Sequence, residues 1–215
     1  MHIRKICCVA SACNFLAFVS KPATFGSARG CARIGGAIIS RDAENPQRNS
    51  HTNIVIRDAA PGDAPAVANI WNHYIRDTLV TFNFAEKSVT DVATDITARQ
   101  AQEHGFFVAQ SDAGIVGFAT YGQFRGGVGY AHTMEHTVQL HPHHFGGGVG
   151  RAIMLHTLEH AKAHGAHSMF AGVSSGNPAG VQFHERLGFE KVTTLREVGR
   201  KFDQWLDLVL MQKML

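Results

Sequence analysis

The stretch Thr133–Arg151 reads TMEHTVQLHPHHFGGGVGR and joins three kinds of segment. Residues 133–140 alternate in the manner of a β-strand, residues 146–150 are rich in glycine, and Val149–His164 has helical periodicity. Backbone N–H groups at the start of such a helix can converge on an anion, which the helix macrodipole also favours. The stretch therefore predicts a mixed α/β fold with either a structural turn or a phosphate cradle at the glycines, and the residues alone leave both open.

The glycine loop departs from two common nucleotide-binding patterns. No Gly-Lys-Ser/Thr follows it, as a P-loop would require, and Arg151 stands where a G-x-G-x-x-G pattern from Gly146 needs its third glycine. Neither pattern applies to this loop.

The strand before the loop carries a glutamate in its middle, where β propensity is poor and unpaired burial is costly. Glu135 is placed to accept a proton, directly or through water, but a salt-bridged or edge-strand residue would give the same pattern. Because side chains alternate, one face holds Thr133, Glu135, Thr137 and Gln139, and the other holds Met134, His136, Val138 and Leu140.

Further strands and helices are predicted on both sides of this stretch. Upstream are a strand over Ile54–Arg57, a helix capped by the Asp63 carboxylate, a weaker helix over Val89–His104, and a hairpin of Phe106–Ala109 and Ile115–Tyr121 around Ser111–Gly114. Downstream are a strand over Ser168–Val173, a helix from the Asn177-Pro178 cap to Leu187 ended by Gly188, and strands over Phe189–Val192 and Leu206–Met211.

Composition excludes several classes of protein. The 215 residues are 45% hydrophobic and 17% charged, which suits a folded domain. The net charge of +3 is far from that of a polybasic nucleic-acid binder. No apolar run reaches the ~18 residues of a membrane-spanning helix, so we expect neither a nucleic-acid nor a membrane partner.

The first 52 residues differ in composition from the rest. All four cysteines lie within residues 1–31, and residues 1–41 carry six basic groups and no acid. We expect an N-terminal extension over residues 1–52, either targeting-like or a disordered or wrongly assigned start, and a folded domain over residues 53–215. Cysteine-free residues 53–215 suit a reducing compartment.

Histidines are numerous, at 14, and His156–His160 matches H-x-x-E-H, a zinc-protease pattern. The apolar stripe of that helix leaves His156 on its flank and turns Glu159 away, although His164 and the cluster at 141–144 are near in sequence. We therefore predict no functional metal site, with weak surface binding of metal as the alternative.

Four stretches give residues 54–215 a resemblance to the GNAT N-acetyltransferases. The similarity is strongest to the branch that acetylates phosphinothricin, methionine sulfoximine and methionine sulfone. The stretches are Tyr121–Arg125 (YGQFR), Glu135–Val138 (EHTV), Ser174–Phe189 with its SSGN and FHERLGF segments, and Val198–Leu208 (VGRKFDQWLDL). The last stretch is typical of this branch in particular.

The resemblance implies a central, mostly antiparallel sheet that is splayed at the cofactor site and flanked by helices. It implies acetyl transfer from acetyl-CoA to the α-amine of a small amino acid or analogue, with Glu135 as the base and His184 near the reacting centre. A packing role for His184 stays open. Backbone N–H groups around Val138–Leu140 would stabilise the oxyanion.

The same resemblance implies two sets of binding residues. Arg125 is the natural partner for a carboxylate, with a solvated loop charge as the alternative. Acetyl-CoA would be bound by Val138, Gln139, Leu140, Gly146, Gly147, Gly148, Val149, Gly150, Arg151, Asn177 and Arg186. The amino-acid pocket would contain Arg125, Gly126, Gly127, Glu135, His136 and Thr137, with His136 contributing through its backbone.

Several positions depart from the pattern of the family. Phe145 and Gly147 replace cationic or amide residues of the phosphate loop, and Phe124 and Gln123 stand where relatives have Trp and Asp. The alternatives are therefore a degenerate acetyl-CoA-binding or regulatory module, or a protein or peptide N-acetyltransferase. By the same resemblance we expect a cytoplasmic homodimer.

Overall fold

A seven-stranded sheet runs through residues 53–215, the part of the chain that the structure, a computed structural model, describes. The expected extension over residues 1–52 lies outside the described residues. The elements are β1 (Val55–Asp58), α1 (Ala64–Asp77), α2 (Val89–Ala101), β2 (Phe106–Ser111), β3 (Gly114–Gln123), β4 (Thr133–Leu140), α3 (Val149–Ala163), β5 (Ser168–Ser174), α4 (Pro178–Arg186), β6 (Glu190–Lys201) and β7 (Gln204–Met214).

The strand order is β1-β2-β3-β4-β5-β7-β6, and every neighbouring pair is antiparallel except β4 and β5. The parallel pairing of β4 with β5 covers only Thr133–Glu135 against Ser168–Phe170. Beyond Glu135 the two strands separate, so the sheet is splayed at its centre. The predicted mixed α/β fold with a splayed, mostly antiparallel sheet is confirmed.

Helices cover both faces of this sheet. On one side, Trp71 of α1 packs on Phe118 of β3 with ring centres 4.9 Å apart. On the other side, the Tyr121 hydroxyl lies 2.8 Å from Nδ1 of His160 on α3. We call these the α1/α2 face and the α3/α4 face. Because side chains alternate, neighbouring residues of one strand serve two separate layers.

The predicted bounds of three elements were wrong. Helix α2 ends at Ala101 rather than His104, because Glu103 adopts a left-handed conformation with φ of 58°. Strands β6 and β7 are far longer than predicted and are joined at Phe202-Asp203, where both residues have positive φ. Neither residue is a glycine or asparagine, so the turn lacks the usual hairpin signal.

One predicted cap is corrected and another is confirmed. Asp63 occupies the N-cap position of α1, but its carboxylate accepts hydrogen bonds from the Arg57 guanidinium (2.7 and 2.9 Å) and the Ala60 N–H (2.8 Å). The bond from Arg57 lowers the pKa of Asp63. Asn177 does cap α4, since its Oδ1 accepts from the Gly180 N–H at 3.0 Å.

Candidate active site

The glycine loop forms an open concavity at the start of α3. Gly146 and Gly148 are left-handed, with φ of 89° and 80°, and a Cβ at Gly146, Gly147 or Gly148 would meet no atom within 4 Å. The first helical bond runs from the Ala152 N–H to the Gly148 carbonyl, so the N–H groups of residues 149–151 have no partner one turn back. This backbone fits a phosphate group, and Arg151 is exposed beside it.

Phe145, the first departure in this loop, packs partly against the hydrophobic core. Its side chain therefore contributes to the fold rather than presenting a polar group to a phosphate. The exposed glycines at 146–148 leave only backbone groups for that purpose. Any anion held by this part of the loop is bound mainly by N–H groups.

The splay leaves one edge of β4 without a neighbouring strand after Glu135. The side chains of Val138, Gln139 and Leu140 are at most 2% exposed, so a ligand along this edge would meet their backbone. The Tyr74 hydroxyl donates to the Leu140 carbonyl and fixes the end of the strand. An extended ligand can pair with such an edge much as an added strand would.

Glu135 lies half-buried on the α1/α2 face, beside the point where the sheet opens. Its register partners are Gly122 on β3 and Phe170 on β5. Phe170 and Phe124 stack with ring centres 4.5 Å apart and planes 17° apart. The carboxylate therefore has an aromatic pair on one side and a position without a side chain on the other.

The loop after β3 borders this region and carries three predicted pocket residues. Arg125, Gly126 and Gly127 are exposed, and the Arg125 guanidinium carbon is 5.6 Å from the centre of the Phe124 ring. The Gln123 side-chain amide donates to the carbonyls of Gly127 (2.7 Å) and Arg125 (2.5 Å). A carboxylate at 123 could not donate these bonds, so Gln123 orders the loop in a way that Asp would not.

His136 and His184 pair on the α3/α4 face, opposite the carboxylate of Glu135. Their ring centres are 5.1 Å apart, and the side chains are 4% and 2% exposed. His184 Nδ1 is 2.7 Å from the Gly180 carbonyl, and Phe189 packs against both rings. Burial lowers the pKa of His184 to about 4 and that of His136 well below its usual range.

The structure does not bring the His184 ring to Glu135, and its surroundings favour the packing role. The catalytic role of His184 stays a prediction. Thr137 shares the face of Glu135, as the alternation predicts. Asn177 is buried at the start of α4, whereas Arg186 is exposed at its far end, about 13 Å along the helix.

The H-x-x-E-H pattern does not form a metal centre on α3. His160 contacts the Tyr121 hydroxyl, His156 packs on Phe107, and Glu159 is exposed. Within residues 53–215, His, Cys, Asp and Glu side chains form no group of three or more that could hold a metal ion. In the same residues, no helix has the length and apolar character needed to cross a membrane.

Sequence reasoning missed the contacts of three residues, two of which lie on the α1/α2 face near Glu135. The sequence pattern indicates only a strand at Phe170 and a weak helix at Arg99, and Lys201 belongs to the stretch Val198–Leu208 that resembles the family. Lys201 is buried, and its Nζ donates to the carbonyls of Tyr74 and Thr81. Only the Asp95/Arg99 spacing of four residues, typical of a helical ion pair, could have singled out Arg99.

Comparisons with known proteins agree with this architecture. The sequence pattern of the acetyltransferase (GNAT) domain family matches residues 56–210. The methionine sulfoximine/methionine sulfone acetyltransferase of Pseudomonas paraeruginosa is 36% identical over 158 residues, which cover 73% of this chain and 92% of that protein.

Two solved structures are also similar. The ribosomal-protein-alanine N-acetyltransferase of Brucella melitensis has a TM-score of 0.73 and 35% identity, covering 75% of this chain and 99% of that one. The phosphinothricin acetyltransferase of Sinorhizobium meliloti, in complex with acetyl-CoA, has a TM-score of 0.72 and 25% identity, covering 75% and 88%.

The splayed sheet, the glycine loop and the matched domain define an acetyltransferase of the GNAT class. This chain belongs to the GNAT acetyltransferase family, and its cosubstrate is acetyl-CoA. The predicted family and enzyme class are confirmed.

Proposed function

We propose that this protein transfers the acetyl group of acetyl-CoA to the α-amine of a small amino acid or analogue. The acceptors we propose are of the methionine sulfone, methionine sulfoximine or phosphinothricin type. The observation that carries the proposal is the position of Glu135, on an accessible face of β4 at the point where β4 and β5 separate. The names of the related enzymes support the acceptor class.

Glu135 acts as the general base in this proposal. An α-amine reaches the enzyme protonated and becomes a nucleophile only after it loses that proton. The half-buried carboxylate accepts the proton directly or through one water. The stacked pair Phe124–Phe170 excludes part of the solvent beside it.

The backbone of the chain holds the cosubstrate. The N–H groups of residues 149–151 and the loop Gly146–Gly148 take the diphosphate, while the free edge of β4 over Val138–Leu140 pairs with the pantetheine arm. Asn177, Arg151 and Arg186 add side-chain contacts. When bound, the thioester supplies an activated acyl group, and the N–H groups of Val138 and Leu140 at the free edge stabilise charge that develops on its oxygen.

The acceptor pocket lies around Glu135. Thr137 shares its face, the backbone of His136 lies between them, and the loop Arg125–Gly127 forms the rim. Arg125 stands beside the Phe124 ring, where it can contact an acidic or polar group of the acceptor.

We also propose a cytoplasmic homodimer with no nucleic-acid partner. Acetyl-CoA is an intracellular metabolite, which supports the location. The β6–β7 hairpin exposes an apolar set that a second copy of the chain would cover, namely Val192, Leu195, Val198, Phe202 and Trp205. The small net charge of +3 gives no support for a nucleic-acid partner.

The experiment is a two-stage assay on the full chain. Isothermal titration measures acetyl-CoA binding, and thiol release is then measured with L-methionine sulfone, L-methionine sulfoximine, L-phosphinothricin and a peptide with a free N-terminus. We expect binding, and release with the amino acids. Absence of binding at millimolar acetyl-CoA would overturn the proposal.

The remaining outcomes identify the alternatives. Acetyl-CoA binding without thiol release on any acceptor would indicate a degenerate acetyl-CoA-binding module. The presence of Phe145 and Gly147 in the phosphate loop is the observation that favours this alternative. Release with the peptide alone would indicate a protein or peptide N-acetyltransferase; the Brucella structure is named a ribosomal-protein-alanine N-acetyltransferase.

A further inference from the structure

Arg99 holds an unusual position against the sheet. Its Nε donates to Asp95 at 3.2 Å, one turn earlier on α2, and its side chain is 26% exposed. A Cβ at Gly122 would lie 3.0 Å from the guanidinium carbon of Arg99 and 3.7 Å from its Nη2. The guanidinium therefore occupies the space that a side chain at 122 would fill, on the α1/α2 face of β3.

This position brings a cation close to the proposed base. Gly122 is the register partner of Glu135, and Cβ positions of opposite residues lie about 4.5–5.5 Å apart. The Arg99 guanidinium and the Glu135 carboxylate therefore border the same small region of the pocket. Phe124 and Phe170 close a second side of it.

The chemistry of an α-amino acid needs a cation at this place. Its amine and carboxylate are attached to one carbon, so an amine presented to Glu135 brings a second carboxylate within a few ångströms of the first. Two carboxylates at that distance repel each other. A planar guanidinium beside Glu135 offsets the repulsion and can bind both oxygens of the acceptor.

Two arginines could serve, and their surroundings differ. Arg125 is exposed on a loop, and its guanidinium carbon is 5.6 Å from the Phe124 ring centre. Arg99 projects from a regular helix and is held by Asp95, so less side-chain freedom is lost when a ligand binds.

We propose that Arg99 binds the α-carboxylate of the acceptor, which leaves Arg125 to face the acceptor side chain at the rim. The inference rests on the proposed function, because it takes the acceptor to be an amino acid that meets Glu135. It makes free α-amino acids the preferred class over peptide N-termini, in which the α-carboxyl group is an uncharged amide.

The test measures binding, so it does not require turnover. Full-length protein saturated with CoA is titrated with L-methionine sulfone and with its carboxamide, which keeps the shape and removes the charge. The variants are Arg99→Gln, Arg99→Lys and Arg125→Gln. Arg76→Gln is the matched control, since Arg76 also forms one ion pair from a helix, to Glu86 at 2.9 Å.

We expect the wild type to bind the acid about 10- to 100-fold more tightly than the carboxamide, the range of a charge-assisted pair. Arg99→Gln abolishes that ratio, Arg99→Lys keeps part of it, and the Arg125 and Arg76 variants retain it. A general loss of packing weakens both ligands together and leaves the ratio unchanged, and melting temperatures identify any variant that fails to fold.

Three results would overturn the inference: no preference or no binding in the wild type, an unchanged ratio in Arg99→Gln, or a ratio lost only in Arg125→Gln. Thiol release with L-methionine sulfone is measured in parallel. Its absence in a protein that still shows the Arg99-dependent ratio would reject acetyl transfer to this acceptor and keep the carboxylate site.

Discussion

Two neighbouring residues of strand β4, Glu135 and His136, point to opposite faces of the sheet and have opposite surroundings. On the α1/α2 face, Glu135 stands half-buried, and its register partners Gly122 and Phe170 adjoin Arg99 and Phe124. On the α3/α4 face, His136 pairs with His184 in a layer where both rings are at most 4% exposed. The Glu135 carboxylate stands on the more accessible side, whereas burial lowers the pKa of both histidines on the closed side.

The difference follows from what packs on each side. Phe183, His184 and Phe189 close the α3/α4 face, where burial penalises a charged imidazole. The α1/α2 face near Glu135 meets the side of α2 that carries Asp95 and Arg99, both about one-quarter exposed. Chemistry is therefore expected on one side of the strand and stability on the other.

The largest expected effect is on the open face. Glu135→Gln removes the proton acceptor while keeping the shape, so kcat should fall by roughly 100- to 10,000-fold. Acetyl-CoA affinity should change little, because the loop at 146–151 is untouched. Thiol-release kinetics with L-methionine sulfone measure kcat, and isothermal titration measures affinity.

The matched control is Asp112→Asn, which removes a carboxylate from the exposed β2–β3 turn and should retain activity. If Glu135→Gln kept more than half of the wild-type kcat, Glu135 could not be the base. The contrast between the two faces would then lose its catalytic meaning.

The closed face should instead control the dependence of stability on pH. The pKa of His184 is about 4 in the folded protein and 6.5 ordinarily, so between those values the unfolded chain binds the extra proton. The free energy of unfolding should therefore fall as pH drops from 6.5 towards 4, with His184 contributing up to about 3 kcal/mol. Burial lowers the pKa of His136 as well, so His136 adds to the same pH dependence.

Urea unfolding measures the free energy of unfolding at pH 7 and at pH 4.5. The difference between the two values should be smaller for His184→Leu than for the wild type. His167→Leu, at an exposed position, should keep the wild-type difference. Equal pH dependence in all three proteins would show that the histidine pair does not titrate as its burial requires.

Two glycines of β3 allow the faces to be compared by the same substitution. A Cβ at Gly117 would clash with the Leu140 side chain and would also meet a backbone atom, the Gln139 carbonyl oxygen, at 3.0 Å. Gly117→Ala should cost about 1–3 kcal/mol of stability. At Gly122 the obstacle is the end of the Arg99 side chain, which can move, so Gly122→Ala should cost less.

Gly122→Ala should instead raise KM for the amino acid, because it displaces the guanidinium of Arg99. Chemical denaturation and steady-state kinetics on both variants separate the two effects. If Gly122→Ala cost more stability than Gly117→Ala, the α1/α2 face at Gly122 would not be the more adaptable of the two.

Much of this arrangement could be read from residue order. Alternation placed Glu135 and His136 on opposite faces, and Asn177-Pro178 marked the start of α4, because both signals are local. The prediction that the Asp63 carboxylate caps α1 was wrong, because the Arg57 guanidinium on β1 donates to that carboxylate instead. The β6–β7 hairpin was predicted too short because its outer part is largely exposed and shows no burial pattern.

By itself the sequence determined the order of elements, the glycine loop, the glutamate of β4 and the GNAT family. These depend on neighbours along the chain or on motifs with fixed spacing. Only the tertiary structure decided that His184 packs on the face opposite Glu135, that Arg99 fills the space beside Gly122, and that Phe170 is a register partner of Glu135. Those contacts join residues 23 or more positions apart, and their geometry is set by how the helices pack on a splayed sheet.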